Sequence, residues 1–404
     1  MSARILTAGL VLTGREAIAG GAVSVAGGVI TGAGPADRVL AGAPAGTTRV
    51  DFPAATILPG LIDAHVHLAF DASDDPVAAL SLVDNEALYA GMAERARRLL
   101  AVGVTTVRDR GDRGHLAIRL REEIAAGLRP GPRILTAGTP VTTAGGHCGF
   151  LGGETRGHAD IRRLARENLA AGADLLKIMV TGGHLTATGP RLWESQFGPE
   201  EIAIVVAEAH RAGKPVAAHA HGVEGIAAAV GAGVDTIEHC TFARPGGQAA
   251  GPDPRPELLE AMARQGIVVC PTVSGAFTEV AARAGEAVLR PWLDLIRLEL
   301  DHGIQVIAGT DAGVARARVD RYAEGLEWLS RAGLTNTEIL GMATTSAADA
   351  LGLGDRTGRL APGYSADLIV VTGDPREDLS VLRELRFTMA AGRSFPTVAR
   401  EAVP

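Results

Sequence analysis

Two histidines in residues 61–68 have the spacing of a chelating pair. The sequence there reads Leu-Ile-Asp-Ala-His-Val-His-Leu and follows the apolar run 54–60. If this run is a β-strand, His65 and His67 point to the same face at its carboxyl end, because side chains alternate along a strand. Two imidazoles fixed in this way bind one zinc-like ion at little ordering cost. Two ordinary loop histidines are the alternative interpretation.

Further groups that bind metals stand where other strand-like runs end. They are Lys177 in the run 174–180, His219 and His221 in His-Ala-His, His239 after Glu238, and Asp311 in Gly-Thr-Asp-Ala-Gly. A lysine inside a buried strand leaves its ammonium desolvated, which is costly unless the charge is paired. Burial lowers the pKa of the amine, and a neutral amine can react with CO2 to give a carbamate that bridges two metal ions. A salt bridge from Lys177 to a carboxylate of a neighbouring strand is the alternative.

Asp311 lies between small residues that leave room for a ligand. A carboxylate in this position can bind metal, accept a proton from an attacking water molecule and return it to a leaving amine. The alternative role, the N-cap of a following helix, is compatible with that function.

The order of the predicted elements favours a barrel that would bring these residues together. Strand-like runs alternate with helical stretches, one of them spanning 282–300 with Pro291 inside it. The eight runs are 57–62, 103–107, 133–136, 175–180, 215–218, 234–237, 267–270 and 304–308. A parallel (β/α)8 TIM barrel over residues 57–359 follows, with catalytic groups at the carboxyl ends of its strands. Short β-like runs in 1–56 and 360–404 predict a small composite β-sandwich domain, so the fold class is α/β.

Composition excludes several classes of protein. The net charge of −7, without a cluster of basic residues and aromatics, argues against nucleic-acid binding. No apolar run reaches the ~18 residues that a membrane span needs, and no clear signal peptide is present, so a cytoplasmic protein is expected. Cys148, Cys240 and Cys270 are too few and too far apart for a disulfide framework. A small-molecule partner and a homo-oligomer are expected.

Together the motifs resemble the amidohydrolase superfamily. They cover nearly the whole chain and read LIDAHVHL, TTVRD, LLKI, HAHG, IEH, GTDAG and GRLAPGYSADLIVV. Within the superfamily the chain is similar to the imidazolonepropionase-like branch, which holds Xaa-Pro and Xaa-Arg dipeptidases and an ochratoxinase. One departure is the sequence Arg-Gly-Asp-Arg at 110–113, where relatives usually have a small or apolar residue before the glycine. A subunit contact, a substrate contact and a solvated loop are all open interpretations of Arg110, Asp112 and Arg113.

The resemblance implies a centre with two divalent metal ions, with zinc as the expected metal. His65, His67 and Asp311 would bind the more buried ion, Lys177 carbamylated by CO2 would bridge, and His219 and His239 would bind the second ion. His184 and His221 match supporting or substrate-contacting histidines, and His147 resembles the histidine of a Gly-Gly-His loop. A solvated loop histidine is the alternative for each of these three. Arg191 is the candidate cation for a substrate carboxylate.

The resemblance also implies hydrolysis of an amide bond by metal-activated hydroxide. Asp311 would transfer the proton, and His184 or His221 would donate a hydrogen bond to the oxyanion. The substrate would be a dipeptide, an N-acyl amino acid or an ochratoxin-like aromatic amide. The pocket rim would consist of loops 138–157, 181–198 and 241–256, and an aromatic content of 3% predicts no stacking platform.

Two other functions stay open. The first is a mononuclear deaminase or an imidazolonepropionase-like hydrolase of cyclic amides, in which Glu224 of His-Gly-Val-Glu would shuttle protons. Its single metal site has no use for Lys177, and an acidic residue is expected in the first turn of a helix in any case. The second is a non-catalytic scaffold, which is expected to have lost metal ligands that this chain retains.

Overall fold

A barrel and a separate β-sheet make up the protein. The computed structural model describes residues 3–186, 188–246 and 250–397. Parallel strands surrounded by helices form the barrel, and the seven-stranded sheet takes its strands from both ends of the sequence. The predicted fold class, an α/β barrel with a small composite β domain, is confirmed. No helix among the described residues is long and apolar enough to span a membrane.

Strands and helices are numbered separately along the chain. The strands are β1 (Arg4–Leu12), β2 (Ala17–Ala26), β3 (Val29–Pro35), β4 (Thr48–Pro59), β5 (Leu61–Val66), β6 (Val104–Asp109), β7 (Arg133–Thr136), β8 (Thr142–Thr143), β9 (Glu154–Thr155), β10 (Leu176–Met179), β11 (Val216–Gly222), β12 (Thr236–Ala243), β13 (Val268–Cys270), β14 (Leu368–Thr372), β15 (Leu385–Ala390) and β16 (Arg393–Phe395). The helices are α1 (Ala36–Ala41), α2 (Pro76–Ser81), α3 (Asn85–Ala101), α4 (Leu116–Ala125), α5 (His158–Ala171), α6 (Pro199–Arg211), α7 (Val223–Ala232), α8 (Pro256–Gln265), α9 (Ala276–Ala284), α10 (Arg290–Asp301), α11 (Tyr322–Leu329), α12 (Asn336–Met342) and α13 (Thr345–Ala350).

The barrel consists of two groups of parallel strands. Strands β5, β6 and β7 pair in that order, and so do β10, β11, β12 and β13. Every residue of β5, β6, β10 and β11 is buried, as expected for parallel strands whose two faces are both covered. A bridge between Val141 and Ile178 connects the two groups on one side.

The predicted eighth strand, 304–308, is irregular. It forms one isolated bridge, between Val306 and Val269, instead of a paired strand. Two backbone hydrogen bonds still connect this segment and the residues after it to the first barrel strand. Ala64 N donates to Ala308 O at 3.0 Å, and Asp311 N donates to His65 O at 2.8 Å. These contacts place Asp311 beside His65.

The apolar run 57–62 divides between the sheet and the barrel. Residues up to Pro59 belong to β4, which pairs with β1 on one side and with β14 on the other. The barrel strand begins at Leu61, so the predicted start at residue 57 was wrong. Gly60 lies between the two strands. It packs closely against the neighbouring strand β6, since a Cβ at this residue would lie 2.1 Å from Thr105 Oγ1. The predicted domain boundaries stay predictions, and residues 398–404 lie outside the described part of the chain.

The helical region predicted over 282–300 is two helices. Helix α9 ends at Ala284, and α10 begins at Arg290. Pro291 lies in the first turn of α10, where its missing N–H breaks no helical hydrogen bond. Both helices follow β13 in the chain and contribute side chains to the cavity described next.

Candidate metal centre

The carboxyl ends of the barrel strands surround a cavity of about 330 Å³. All six predicted metal-binding side chains line it, namely His65, His67, Lys177, His219, His239 and Asp311. His147, His184 and His221 line it as well. Arg191 does not, because its guanidinium is exposed to solvent and lies 5.6 Å from the ring centroid of Trp193. The prediction that Arg191 contacts substrate therefore has no support from its position.

His65 and His67 converge on one carboxylate oxygen. Asp311 Oδ1 lies 3.2 Å from His65 Nε2 and 3.3 Å from His67 Nε2. Neither Asp311 Oδ1 nor His65 Nε2 has a well-aligned hydrogen bond to another described residue, although both atoms are buried. Burial would raise the pKa of Asp311, but the two imidazoles hold it well below its usual value. This set of nitrogen and oxygen donors fits a borderline divalent ion such as zinc.

A second set of donors is formed by three histidines. His219, His221 and His239 each offer a ring nitrogen within 4.8 Å of the others. His239 also belongs to a set with His65 and Asp311, so the two sets adjoin at His239. The Nδ1 atoms of His221 and His239 each lie 2.9 Å from a threonine hydroxyl, on Thr241 and Thr272 respectively. These contacts orient both rings. His221, predicted to contact substrate, is thus also placed among possible ligands.

Lys177 is buried, and no described residue pairs with its ammonium group. Its side chain lies in β10, is 1% exposed, and its Nζ has no hydrogen bond to any described residue. Burial lowers the pKa of Lys177 to about 7, since the charged form is poorly solvated. The alternative prediction, a salt bridge to a neighbouring carboxylate, is not realised among the described residues. An unpaired amine in a buried position is costly unless another group completes it.

A buried carboxylate fixes the orientation of His65. Glu238 Oε2 lies 2.7 Å from His65 Nδ1, which turns His65 Nε2 towards the cavity. The other oxygen of Glu238 contacts Arg110 Nη2 and lies 3.4 Å from Arg108 Nη2. Burial would raise the pKa of Glu238, but the two guanidinium groups hold it well below its usual value.

The segment 110–113 is neither a solvated loop nor a substrate contact. Arg110 and Asp112 are fully buried, and neither lines the cavity. Arg113 donates to backbone carbonyls of Leu80 and Val83. The unusual Arg110 is instead the cation that balances Glu238 beneath His65. Its sequence position, directly after a strand end, gave no indication of this burial.

Asp63 was not among the predicted site residues. It is buried below His65 and accepts hydrogen bonds from Thr310 Oγ1 at 2.6 Å and Thr310 N at 3.0 Å. These bonds connect the first strand to the loop that carries Asp311. The signal was present in the sequence, because Asp63 lies two residues before His65 and therefore on the same face of the strand.

His147 and His184 lie on the cavity wall rather than in solvent. The ring centroid of His147 is 4.6 Å from that of His219, and the centroid of His184 is 6.0 Å from that of His221. Burial and the nearby Lys177 lower the pKa of His147 to about 3, so this imidazole is neutral near neutral pH. Glu224, the proton shuttle of the mononuclear alternative, is 71% exposed, pairs with Arg255 and does not line the cavity.

Helices α9 and α10 line an apolar part of the cavity, whereas the prediction had placed the pocket rim in loops alone. The side chains are Phe277, Val280, Trp292, Leu295 and Ile296. The rings of Phe277 and Trp292 lie 6.1 Å apart, so the cavity has aromatic surface despite the low aromatic content. Glu299, on the same helix as Trp292, also lines it. In the predicted rim loops, residues 187 and 247–249 lie outside the described residues.

Comparisons with known proteins agree with this architecture. The sequence model of the amidohydrolase family matches residues 56–394, from β4 to β16. Ochratoxinase of Aspergillus niger is 27% identical over 367 residues, which are 81% of this chain and 72% of the relative. Imidazolonepropionase of Mesorhizobium japonicum is 28% identical over 399 residues, 91% of this chain and 90% of the relative. The solved structure of a Xaa-Pro dipeptidase with bound methionine has a TM-score of 0.85 and 29% identity, covering 98% of this chain and 100% of that one.

Proposed function

This chain belongs to the amidohydrolase family and is a hydrolase acting on C–N bonds, and from that premise we propose that it cleaves a small amide at a centre of two metal ions. The observation that carries the proposal is the pair of adjoining donor sets, with His239 in both. The unpartnered Lys177 lines the same cavity. A site for one ion would leave that buried amine without a role.

The resemblance to the family suggests which residues would bind each ion. His65, His67 and Asp311 would bind the first ion, His219 and His239 the second, and Lys177 carbamylated by CO2 would bridge. Imidazole and carboxylate donors favour zinc. Buried atoms of His65, Lys177 and Asp311 that have no well-aligned hydrogen bond to a described residue support this assignment, since a ligand would satisfy them. When bound, the ions supply a water molecule of lowered pKa and polarise the scissile carbonyl group.

The side chains of the cavity would perform the proton transfers. Asp311 keeps its carboxylate ionised beside His65 and His67, so it can accept the proton of the nucleophile and pass it to the departing nitrogen. His221 and His184, which both line the cavity, would hydrogen-bond the developing oxyanion. When the Thr241 hydroxyl donates to His221 Nδ1, the Nε2–H of His221 is left to donate.

The proposed substrate is a dipeptide, an N-acyl amino acid or an ochratoxin-like aromatic amide. The apolar part of the cavity supports an aromatic or aliphatic group beside the scissile bond. Two relatives are named for activities within this range, one as a Xaa-Pro dipeptidase and the other as an ochratoxinase. A panel of these three substrate classes, assayed with added zinc and bicarbonate, identifies the preferred one.

Metal content tests the binuclear proposal. We expect the protein purified with zinc and bicarbonate to bind close to two ions per chain by elemental analysis. Lys177→Met should lower the content to about one or less, because the bridging group is lost. A wild-type content close to one would favour the mononuclear alternative. The exposed position of Glu224 gives that alternative no support.

Asp311→Asn tests the proposed proton transfer. The amide keeps an oxygen donor for metal but cannot accept the proton, so we expect nearly unchanged metal content and a loss of kcat of about 100-fold or more. The matched control is Asp355→Asn, since the side chain of Asp355 is 81% exposed. Unchanged turnover by Asp311→Asn at full metal content would contradict the assignment.

A further inference from the structure

Glu299 is a buried carboxyl group in an apolar part of the cavity. It lies on α10 one turn after Leu295 and Ile296, and the three side chains line the same wall. Glu299 is 1% exposed. Phe277 and Val280 of α9 also line the cavity. A polar group in such surroundings is unfavourable unless it meets a hydrogen-bonding partner.

The described residues do not provide a strong hydrogen-bond donor to this carboxyl group. Glu299 Oε2 makes no hydrogen bond to any of them. The thiol of Cys240 lies within hydrogen-bonding reach of the carboxyl group, and a thiol is a weak donor. Burial raises the pKa of Glu299 to about 8, and Cys240 lowers it only in part.

A comparison with Glu208 shows that the isolation of Glu299 is unusual. Glu208 is 4% exposed and thus also buried, but Arg162, Arg166 and Arg211 all pair with it. No arginine among the described residues lines the cavity beside Glu299. Of the lining residues, only Lys177 carries an ammonium group, and it has no hydrogen bond to Glu299. The missing partner of Glu299 is therefore expected from the ligand.

We propose that Glu299 is a specificity-determining residue, which selects amide substrates whose apolar flank ends in a hydrogen-bond donor, either a hydroxyl or an amine. This inference rests on the proposed amide hydrolysis and adds the chemical class of the substrate flank. The apolar side chains of α9 and α10 would enclose the hydrocarbon part of the flank, and the donor at its end would meet the carboxyl group.

The preference follows from the cost of an unmade hydrogen bond. A substrate with the donor satisfies the buried carboxyl group, whereas its hydrocarbon analogue displaces water and leaves that group unpaired. Sites built to bind a substrate O–H or N–H strongly reject the analogue that lacks it. We expect wild-type kcat/KM to favour the donor-bearing member of a matched pair by about 10-fold or more.

The test uses two matched pairs of amides as probes. One pair is N-acetyltyrosine amide with N-acetylphenylalanine amide, which differ by a hydroxyl. The other is N-acetyllysine amide, acetylated on its α-amino group, with N-acetylnorleucine amide, which differ by an amine. We expect the wild-type enzyme, loaded with zinc, to prefer the donor in at least one pair, and that pair identifies the donor. Equal kcat/KM values within both pairs would overturn the proposal.

Two substitutions assign the preference to Glu299. Glu299→Leu should reduce the ratio of kcat/KM values within the preferred pair to about one, whereas Glu299→Gln keeps an acceptor and should retain part of it. The matched control is Asp294→Asn on the same helix, where the side chain is 54% exposed, and the ratio should not change. A folded Glu299→Leu variant with the same ratio as the wild-type enzyme would overturn the proposal. If that variant does not fold, the kcat/KM values of the wild-type enzyme within the two pairs decide the proposal.

A binding measurement separates this inference from the proposed hydrolysis. The dissociation constants of the same four compounds are measured by calorimetry on zinc-loaded Asp311→Asn, with and without Glu299→Leu. A preference for the donor that Glu299→Leu removes supports the inference, even if the wild-type enzyme hydrolyses none of the compounds. Equal affinities within both pairs, together with normal hydrolysis, would overturn the inference and leave the proposed function intact.

Discussion

His65 owes its orientation to a charge pair deeper in the barrel. Glu238 contacts His65 Nδ1 with one carboxylate oxygen and Arg110 with the other. Such partners orient metal-binding imidazoles and affect metal affinity. Both Glu238 and Arg110 are fully buried, so each charge is stabilised by the opposite charge of the other residue. Arg110, the unusual arginine of this sequence, therefore helps to hold His65 in place through Glu238.

Replacing Arg110 should destabilise the protein. In Arg110→Met, the buried Glu238 keeps His65 and the Thr236 hydroxyl as hydrogen-bonding partners, but the guanidinium that remains beside it is that of Arg108, whose Nη2 is 3.4 Å from the carboxylate. We expect the free energy of unfolding to fall by about 3 kcal/mol, measured by denaturant titration, because a buried carboxylate that loses its closest counter-charge is costly. The control is Arg297→Met, which removes an exposed pair with Asp301 and should change it by less than about 0.5 kcal/mol. Equal effects of both substitutions would contradict the role of Arg110.

Glu299 should make stability depend on pH. Burial raises the pKa of Glu299 from 4.5 to about 8, so the folded protein keeps a proton that the unfolded chain releases. The contribution is favourable below the unfolded pKa and is lost as pH rises from about 4.5 through about 8. Glu299→Gln cannot ionise, so we expect its unfolding free energy to increase relative to wild type across that window. Parallel profiles of the two proteins in denaturant titrations would contradict this prediction.

Single residues differed in how far the sequence could predict them. His65 and His67 were predictable because alternation along a strand gives them the same face, and His219 and His239 because they stand at the carboxyl ends of strand-like runs. The burial of Arg110 and the position of Glu299 were not, since both depend on which elements pack against them. A charged residue after a strand or on a helix is exposed in most proteins, and nothing local distinguishes these exceptions.

The loop that carries Asp311 is joined to the end of the first barrel strand by backbone contacts. His67 N donates to Ala312 O at 2.7 Å, and Ala72 N donates to Gly313 O at 2.8 Å. Gly313 has a φ of 109°, and a Cβ at this residue would lie 2.2 Å from His67 O. This close approach requires glycine. It explains why two proposed ligands on one strand and a third on a distant loop lie close together.

Gly313→Ala should therefore disturb the centre. The added methyl group strains the backbone and pushes against His67 O, so we expect lower zinc content and a lower melting temperature. Gly333→Ala is the matched control, because Gly333 also has a positive φ, 77°, but a Cβ there would meet no atom within 4 Å. It should cost about 1 kcal/mol through strain alone and keep the zinc content. Full zinc content in Gly313→Ala would contradict the expected displacement.

The elements were predicted where the local pattern was sufficient. Strand β7 has the predicted bounds, and the other barrel strands from β6 to β13 overlap the predicted runs. The run 57–62 was divided incorrectly, because hydrophobicity does not say which of two sheets a residue joins. The run 304–308 is apolar enough for a strand, but tertiary contacts leave it with one bridge. Pairing partners, not composition, decided both outcomes.

The sheet makes the two ends of the chain depend on each other. Strand β14 lies between β15 and β4, so a late segment pairs with an early one. Short β-like runs at both ends, on either side of one long middle section, were sufficient to predict this composite sheet. The order of the strands was not predictable from the runs, because long-range pairing leaves no local pattern. The barrel is attached to this sheet through β4, which leads into β5, and through Asp367, whose carboxylate accepts from Arg133.

Asp367 should therefore contribute to the stability of the whole molecule. Its buried carboxylate accepts from Thr357 Oγ1 at 2.9 Å, from Ala391 N at 2.7 Å and from Arg133 Nη2 at 3.2 Å. Arg133 begins the barrel strand β7, so the carboxylate connects the sheet with the barrel at the end opposite the cavity.

Because Asp367→Ala leaves these donors unpaired, we expect the free energy of unfolding to fall by about 2 to 4 kcal/mol. The activity of the molecules that remain folded should not change, since the catalytic cavity is distant from this contact. Asp51→Ala is the control, as Asp51 lies in the same sheet with a half-exposed side chain and should change stability by less than about 1 kcal/mol. Denaturant titration and the specific activity of the folded fraction measure both quantities. A loss of specific activity without a loss of stability would mean that this contact shapes the cavity instead.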